Sequence, residues 1–413
     1  MKVLVIGGGG RCHAIVDALG RSPKVDDIIC TPANAGIARQ ARTASVKDTD
    51  VEGLLALALA ERPDLTVVGP ESALAAGVVD AFKAHGLRIF GPTKAAAQIE
   101  SSKEFAKNLM TKYGIPTARF ETFTDYEAAA AYVRAHSLPT VLKYDGLAAG
   151  KGVVIARTEE EADAALRDML LDDKFGEGKV VIEEFLEGPE FSFLCFVSGR
   201  EVTPMELSQD HKRAYDNDEG PNTGGMGAYS PLPFITEEDR QYALDKIMRP
   251  TAAAMVEEGY PFCGVLYGGL MKTADGIKVI EFNARFGDPE TEVVLPRLES
   301  DIFDLFCAIA DGKSVSLKWK ECATLGIVLA SKGYPDAYEK GFVIEGLEDI
   351  DGKVYHMGTA ERDGKFVTAG GRVAIVVCEG ATVAEARAKA LAEIAKIKCD
   401  NLFHRTDIGK QGI

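Results

Sequence analysis

The chain has 413 residues, of which 46% are hydrophobic, and this length exceeds what one hydrophobic core usually serves, so we expect two to four domains. A formal net charge of −16 excludes a general nucleic-acid surface, because binding to a phosphate backbone needs a basic face. The eight cysteines contain no C-x-x-C pair, which favours reduced thiols over a disulfide framework or a zinc site. No apolar run has the length of a membrane span or signal peptide, so we predict a cytoplasmic protein without a membrane partner.

The first hundred residues predict alternating strands and helices, the pattern of an open parallel α/β sheet. Strands are predicted over 3–6, 26–30, 65–68 and 87–90, with a helix over 11–19. Gly8, Gly9 and Gly10 precede this helix, and their backbone N–H groups can bind an anion. The G-x-G-x-x-G spacing does not close, which disfavours a dinucleotide and favours a smaller phosphorylated ligand. A plain tight turn is the alternative interpretation.

Two further strand ends in this region carry polar side chains. Asn34 follows the second predicted strand, and Glu71 follows the strand at 65–68. Because ligands of open α/β sheets bind beyond the carboxyl ends of the strands, both are candidates for hydrogen bonds to sugar hydroxyls. The alternatives are turn chemistry for Asn34 and a favourable charge at a helix N-terminus for Glu71.

A glycine-rich hairpin is predicted in the next part of the chain. A helix with a serine cap, predicted from residue 98, carries Lys103, and an apolar strand over 139–143 ends at Lys143. The loop between this strand and the next, at 153–156, contains Gly146, Gly150, Lys151 and Gly152. Such a loop can fold over a triphosphate with its N–H groups as donors, although the P-loop spacing is absent. An ordinary hairpin with solvated lysines is the alternative, but it does not explain a lysine at the end of an apolar strand.

An acidic linker follows the strand that begins at residue 179. Its backbone N–H and C=O groups could face the edge of an adenine, while a carboxylate such as Glu190 takes the ribose hydroxyls.

The segment from 278 to 290 is predicted to deliver a metal site. Side chains alternate along a strand, so Glu281, Asn283 and Arg285 share one face, while Ile280 and Phe282 are predicted to point into a core. A carboxylate and an amide oxygen at this spacing suit Mg²⁺, which usually shares itself between one or two protein groups and substrate phosphates. A polar edge strand is the alternative interpretation.

These motifs in this order resemble the ATP-grasp superfamily and, within it, the phosphoribosylamine–glycine ligase family. The resemblance runs from residue 1 to the carboxyl end. It rests on the segments GGGGR (7–11), TVVGPE (66–71), FGPTKAAAQ (90–98), DGLAAGKG (145–152), QDHKR (209–213), GPNTGGMGAYSP (220–231) and EFNARFGDPE (281–290).

The resemblance implies an ATP-dependent ligase of purine biosynthesis. Glycine would be joined to 5-phospho-β-D-ribosylamine through glycyl phosphate, giving glycinamide ribonucleotide, ADP and phosphate. The implied cofactors are ATP and Mg²⁺, with Mn²⁺ as an alternative ion, and the implied partners are these two small substrates. We expect a monomer or weak dimer. The competing functions are another ATP-grasp carboxylate–amine ligase and a non-catalytic nucleotide-binding regulator.

Residue roles are also carried over from the resemblance. Catalytic roles fall to Arg285, Lys143 and Asp210. ATP binding falls to Lys103, Lys143, Gly146, Gly150, Lys151, Gly152, Glu183, Phe185 and Glu190. Substrate binding falls to Gly8, Gly9, Gly10, Asn34, Glu71, Asp210, Lys212, Arg213, Asn222, Gly224, Gly225, Arg285, Gly287 and Asp288. Metal binding falls to Glu281 and Asn283. Among these, Asp210 is expected to hold the glycine ammonium group, and the glycine turn the 5-phosphate.

The implied fold class is a multidomain combination of α/β and α+β. It comprises an N-terminal open parallel α/β sheet over 1–102, a central ATP-grasp fold over 103–322 with a mobile lid at about 117–188, and a small C-terminal mixed-sheet cap over 323–413. The chain departs from the usual family pattern at Cys12, commonly glutamate, at Ala33, usually glycine, and at Tyr144, usually alanine.

Overall fold

The computed structural model describes residues 1–146, 152–172 and 178–413. The strands in these ranges are β1 Lys2–Ile6, β2 Asp27–Thr31, β3 Arg42–Thr43, β4 Leu65–Val68, β5 Ile89–Phe90, β6 Phe120–Phe123, β7 Thr140–Tyr144, β8 Val153–Ala156, β9 Val180–Glu184, β10 Glu190–Ser198, β11 Glu201–Pro204, β12 Gln209–Asp210, β13 Arg213–Tyr215, β14 Glu219–Asn222, β15 Gly227–Ser230, β16 Cys263–Thr273, β17 Gly276–Asn283, β18 Ala323–Ser331, β19 Lys353–His356, β20 Thr359–Arg362, β21 Lys365–Thr368, β22 Arg372–Gly380 and β23 Leu402–Phe403. The α-helices are α1 Gly10–Gly20, α2 Val51–Glu61, α3 Glu71–Ala76, α4 Val78–Ala84, α5 Gln98–Ser101, α6 Lys103–Lys112, α7 Tyr126–Ala135, α8 Glu159–Leu170, α9 Glu237–Ala243, α10 Arg249–Glu257, α11 Glu290–Val294, α12 Ile302–Ala310 and α13 Val383–Ile394. Within the described ranges, none of the helices is long and apolar enough to span a membrane.

The N-terminal part is a parallel sheet with strand order β3-β2-β1-β4-β5, as the sequence predicts. Its central strand β1 is a short apolar run whose last four residues are buried, as expected when helices cover both faces of a parallel sheet. The turn after β1 needs glycine at Gly7, whose φ of +116° is unfavourable for other residues. Because β1, β2 and β4 run parallel, the polar groups that follow them meet at one edge of the sheet.

The central part consists of two four-stranded antiparallel sheets. One has the order β6-β9-β7-β8 and packs against α7 and α8, and the other has the order β11-β10-β16-β17. The two sheets meet where Lys143 Nζ, at the end of β7, donates to the carbonyl of Ile280 in β17 at 2.9 Å.

The C-terminal part is built on a sheet with the order β12-β15-β18-β22-β19, with β23 paired to β18 and α13 packed against it. Its described pairings are all antiparallel, so the sheet is not mixed as the sequence suggests. Strands β12 and β15 come from the middle of the chain. This pairing brings Asp210, in β12, next to the C-terminal part.

Candidate active site

A cavity of about 630 Å³ lies at the junction of the three parts of the chain. The predicted site residues that line it are Glu71, Lys103, Lys143, Gly146, Gly152, Glu183, Phe185, Glu190, Asp210, Lys212, Arg213, Asn222, Gly224, Glu281, Asn283, Arg285 and Asp288. These residues span more than 200 positions of sequence, so the fold gathers the predicted ATP and substrate groups into one place.

Eight predicted residues are not among the residues that line this cavity. Gly150 and Lys151 lie outside the described residues. The others are Gly8, Gly9, Gly10, Asn34, Gly225 and Gly287. Gly225 and Gly287 still shape the site. A Cβ atom on Gly225 would lie 2.5 Å from an Asp210 carboxylate oxygen, and one on Gly287 would lie 2.5 Å from a Glu290 oxygen.

Strand β17 presents Glu281 and Asn283 to the cavity, as the alternation predicts, but Ile280 differs from the prediction. Both residues contribute to the cavity lining, but Ile280 is only half-buried, whereas Phe282 is buried in the core. The cause is a register shift between Gly269 and Leu270 in the facing strand, which leaves Ile280 without a partner in the ladder. Sequence alternation cannot reveal such a bulge.

The Glu281 carboxylate is surrounded by cations. Burial alone would raise its pKa, but Lys212, Lys143 and Lys103 together lower it to about 2, so Glu281 is ionised at neutral pH. Asn283 Nδ2 donates to Glu281 Oε1 at 3.4 Å, which places two hard-oxygen side chains side by side. The described residues contain no cluster of three His, Cys, Asp or Glu side chains that could enclose a metal. Two oxygen ligands fit an ion that completes its coordination with substrate phosphates and water, as Mg²⁺ usually does.

Arg285 is held by two carboxylates from the N-terminal part. Its Nη2 lies 2.8 Å from Glu100 Oε1, and its Nε lies 3.2 Å from Glu71 Oε2. Burial would lower the pKa of Arg285, but these two carboxylates raise it, so the guanidinium stays charged. Arg285 Nη2 also donates to Asn283 Oδ1 at 3.1 Å. Arg285 is therefore fixed in direct contact with the predicted metal ligand.

Lys103 is placed by a helix start that the sequence only partly predicts. One helix was expected from residue 98, but the structure breaks it at Ser102, whose hydroxyl accepts from Phe105 N at 3.1 Å. Asp145 adds a second cap, since its carboxylate accepts from Lys103 N at 2.6 Å. The Lys103 ammonium donates to the Gly146 carbonyl at 3.0 Å, and burial lowers its pKa. The hairpin strand β7 and helix α6 are thus joined at the cavity.

Glu183 joins two buried lysines. Its Oε1 lies 2.9 Å from Lys143 Nζ, and its Oε2 lies 2.8 Å from Lys107 Nζ. The sequence prediction placed Glu183 among the ATP-binding residues and overlooked Lys107. The signal was present, because Lys107 stands four residues after Lys103 and so shares its face of the helix.

Asp210 lies in an acidic corner of the cavity. One of its carboxylate oxygens is buried and lacks a hydrogen-bond partner among the described residues. Burial and the nearby Glu290 carboxylate raise the pKa of Asp210 well above its ordinary value. Glu290 itself accepts from the Ser192 and Tyr267 hydroxyls, each at 2.8 Å. An ammonium group would relieve the repulsion between Asp210 and Glu290, and the sequence reasoning had not assigned a role to Glu290.

Asp288 ties the N-terminal and C-terminal parts together. One carboxylate oxygen accepts from the backbone N–H of Arg11 at 3.1 Å, and the other lies 3.0 Å from Arg372 Nη1. Burial would raise the pKa of Asp288, but Arg372 and Arg11 lower it. The carboxylate of Asp288 therefore already occupies the N-terminus of α1, where the sequence predicts a substrate phosphate.

The Asn34 side chain makes three hydrogen bonds within the protein. Its Nδ2 donates to the carbonyls of Gly8 and His356, and its Oδ1 accepts from Ile37 N at 2.9 Å. These contacts match the turn chemistry that was the alternative interpretation, and they leave its amide without a free donor for a sugar.

Comparison with known proteins connects this geometry to a family. Models described as the N domain, the ATP-grasp (A) domain and the C domain of phosphoribosylglycinamide synthetase match residues 1–100, 101–291 and 324–411. The chain belongs to the phosphoribosylglycinamide synthetase family. Phosphoribosylamine–glycine ligase of Halalkalibacterium halodurans is 52% identical over 417 residues, covering 100% of this chain and 97% of the relative. The ligase of Salmonella typhimurium is 50% identical, covering 100% and 99%.

Solved structures agree with this family assignment. The crystal structure of phosphoribosylamine–glycine ligase from Thermotoga maritima matches with a TM-score of 0.88 and 35% identity, covering 99% of this chain and 100% of that chain. A biotin carboxylase from Campylobacter jejuni, in complex with β,γ-ATP, matches with a TM-score of 0.74 at 15% identity over 98% and 92% of the two chains. The second likeness extends to the fold alone. The predicted fold class, with its N-terminal parallel sheet and ATP-grasp core, is confirmed.

Proposed function

We propose that this chain joins glycine to 5-phospho-β-D-ribosylamine at the expense of ATP, giving glycinamide ribonucleotide, ADP and phosphate in purine biosynthesis. Relatives that carry the name of this ligase are 50–52% identical along its whole length. The observation that carries the proposal is a single cavity in which Glu281 and Asn283 stand beside the lysine ammonium groups and which continues to Asp210.

The chemistry needs positioning more than a protein nucleophile. A carboxylate is a poor electrophile, so the γ-phosphoryl group passes from ATP to a carboxylate oxygen of glycine, and ADP leaves. The amine of the ribosylamine then attacks the acyl carbon of glycyl phosphate. The bond from acyl carbon to phosphate oxygen breaks, and an amide, phosphate and a proton are the products. Fixed cations and the exclusion of water account for such catalysis.

We assign the ATP side of the cavity to residues of the central sheets. Lys103 and Lys143 would neutralise phosphate charge, and Phe185 and Glu190 would hold adenine and ribose. Glu183 is better assigned to Lys143 and Lys107 than to the nucleoside, because both its oxygens face ammonium groups. Glu281 and Asn283 would hold Mg²⁺, or Mn²⁺, which when bound draws charge from the phosphates.

We assign the substrate side to the acidic corner and the arginines. Asp210 would hold the ammonium group of glycine, supported by its unpartnered buried oxygen. Arg285 would stabilise the transferring phosphoryl group or the substrate anion, with Glu71 on the ribose. A 5-phosphate at the glycine turn requires Asp288 to leave the amide of Arg11. The remaining substrate candidates of this side are Gly8, Gly9, Gly10, Lys212, Arg213, Asn222, Gly224, Gly225 and Gly287.

Further proposals concern organisation. We place domain boundaries after residues 102 and 322, with a lid over about 117–188. Limited proteolysis with and without ATP would test the lid, because ATP should protect that segment from cleavage. We also propose that the protein acts in the cytoplasm as a monomer or weak dimer. Sedimentation should then give a mass at or near that of one chain, and a stable higher oligomer would contradict the proposed oligomeric state.

The test is a coupled assay of ADP release with glycine, ATP and phosphoribosylamine. Turnover should require all three, and mass spectrometry should detect glycinamide ribonucleotide. Strong ADP release without phosphoribosylamine, or with another amino acid in place of glycine, would indicate a different carboxylate–amine ligase. Glu281→Gln should abolish turnover while circular dichroism shows that the fold is retained, and undiminished turnover would contradict the assigned metal site.

A further inference from the structure

A buried group of three charged side chains lies at one end of the cavity. Lys107, Lys143 and Glu183 are only 2%, 4% and 4% exposed. Glu183 lies between the two ammonium groups, 2.8 Å from Lys107 and 2.9 Å from Lys143. The three side chains come from α6, β7 and β9, so the arrangement exists only in the folded protein.

The contacts of these three side chains leave the group with one surplus positive charge. Lys107 donates to the Thr117 hydroxyl at 2.8 Å, and Lys143 donates to the Ile280 carbonyl at 2.9 Å. Both acceptors are neutral, so the two ammonium groups share the Glu183 carboxylate. Glu281, the other carboxylate near Lys143, is itself shared with Lys103 and Lys212. An uncompensated buried charge is costly. The surplus positive charge therefore favours binding of an anion at the open side of this group, where Lys143 and Lys107 line the cavity.

We infer that Lys107 is a positioning residue for ATP: it neutralises Glu183, so that the charge of Lys143 remains available to the nucleotide phosphates. Without Lys107, Glu183 and Lys143 would form a closed neutral pair, and the attraction for phosphate at Lys143 would be lost. The inference deepens the proposed function and rests on ATP being its nucleotide.

The surroundings of Lys107 make the effect dependent on pH. The charged groups that face it are Glu183, Lys143 and Glu184, and the Phe120 ring lies 5.6 Å from its ammonium group. Burial lowers the pKa of Lys107 to about 8, although Glu183 opposes the shift. The ammonium form thus predominates at pH 7 and is lost above about pH 8. Because only the ammonium form neutralises Glu183, ATP affinity should fall as the pH rises through this range.

The test is calorimetric binding of ATP with Mg²⁺ to the full-length protein between pH 6.5 and 9.5, without glycine or phosphoribosylamine. For the wild type, the Kd for ATP should rise by up to about tenfold per pH unit above about pH 8, the limit for one linked proton. Lys107→Arg should show a smaller rise than the wild type, because a guanidinium stays charged throughout. Lys107→Met should bind ATP at least about tenfold more weakly at pH 7, with a weaker dependence on pH than the wild type, consistent with loss of one buried charge interaction.

Lys112→Met is the matched control. Lys112 lies on the same helix, and its side chain is 63% exposed and pairs with Glu258 on the surface, so its loss should leave ATP affinity and its pH profile as in the wild type. Burial also lowers the pKa of Lys103, but Lys103 is present in every variant, so its contribution cancels when the variants are compared.

Two outcomes would overturn the inference: wild-type affinity in Lys107→Met at pH 7, or a pH profile in Lys107→Arg that still matches the wild type. Each variant is checked by thermal melting, and if one fails to fold, the other decides alone. Failure of the proposed function is distinguishable, because it would show as absent amide formation while ATP binding still followed the pattern above.

Discussion

Replacing Arg405 by methionine should destabilise the C-terminal part and disturb the substrate side of the cavity. Arg405 is 1% exposed, and its guanidinium forms a two-pronged contact with Asp407, with Nε at 2.7 Å and Nη2 at 2.8 Å from the two oxygens. Its Nη1 lies 2.9 Å from Asp218 and donates to the carbonyl of Arg213 at 3.0 Å. One side chain thus binds the end of the chain to the β13–β14 ribbon.

The expected cost follows from what the substitution leaves behind. Asp407 is 7% exposed and would lose both hydrogen bonds from the guanidinium, while it keeps the one from Asn217 N at 2.8 Å. A buried carboxylate deprived of its cation typically costs about 3–5 kcal/mol. Asp218 is half-exposed and can regain water, so it adds little. The turn at Asn217 and Asp218, with φ of 62° and 55°, would lose the ion pair between Asp218 and Arg405 that helps to hold its left-handed conformation.

Urea titration followed by circular dichroism would measure the loss, with Arg200→Met as the control. Arg200 pairs with Glu257 on the surface, both about half exposed, and should cost about 0–1 kcal/mol. Adding Asp407→Asn to Arg405→Met should recover part of the loss, because it removes the unpaired charge. The KM for glycine or phosphoribosylamine should rise, because Arg213 and Asn222 line the cavity. A loss no larger than that of the control would refute the reasoning.

Three other outcomes are expected. Gly10→Ala should lower the free energy of unfolding by about 1–3 kcal/mol, because the new Cβ would lie 2.3 Å from Glu292 and 2.9 Å from Met357. Gly20→Ala, whose Cβ would have no atom within 4 Å, should raise it by about 0.5–1 kcal/mol. Thermal melting would compare the two variants, and similar effects on both would contradict this prediction. Burial lowers the pKa of His13 to about 3 and of His356 to about 4 from 6.5. Their neutral forms therefore stabilise the fold above pH 6.5, and this stability is lost as the pH falls toward 4 and 3, by about 2 kcal/mol per histidine at pH 5; equal unfolding free energies at pH 7 and 5 would count against it. Chelation of divalent cations should stop ADP release without unfolding the protein, and persistent turnover in excess chelator would exclude the metal role of Glu281 and Asn283.

Much of the fold was predictable because short apolar runs between glycines, prolines and polar turns mark buried strands. The predicted strands at 65–68 and 153–156 coincide with β4 and β8, and β1 is one residue longer than predicted. One continuous helix was expected from residue 98, and this was wrong, because the structure has two helices there, α5 and α6. Ser102 ends one helix and caps the next, with Asp145 from 42 residues away completing the cap of Lys103, and no local pattern encodes that contact.

The sequence by itself determined the family, the succession of parts and many of the residues that line the cavity, because the order of motifs and the alternation of apolar residues are local properties of the chain. Only the tertiary structure decided the partners of these residues. It placed Glu183 between two lysines, moved Ile280 into the cavity through a bulge in β17, and filled the N-terminus of α1 with Asp288. The physical reason is that charge pairing and strand register depend on distances between segments far apart in sequence, which packing alone sets.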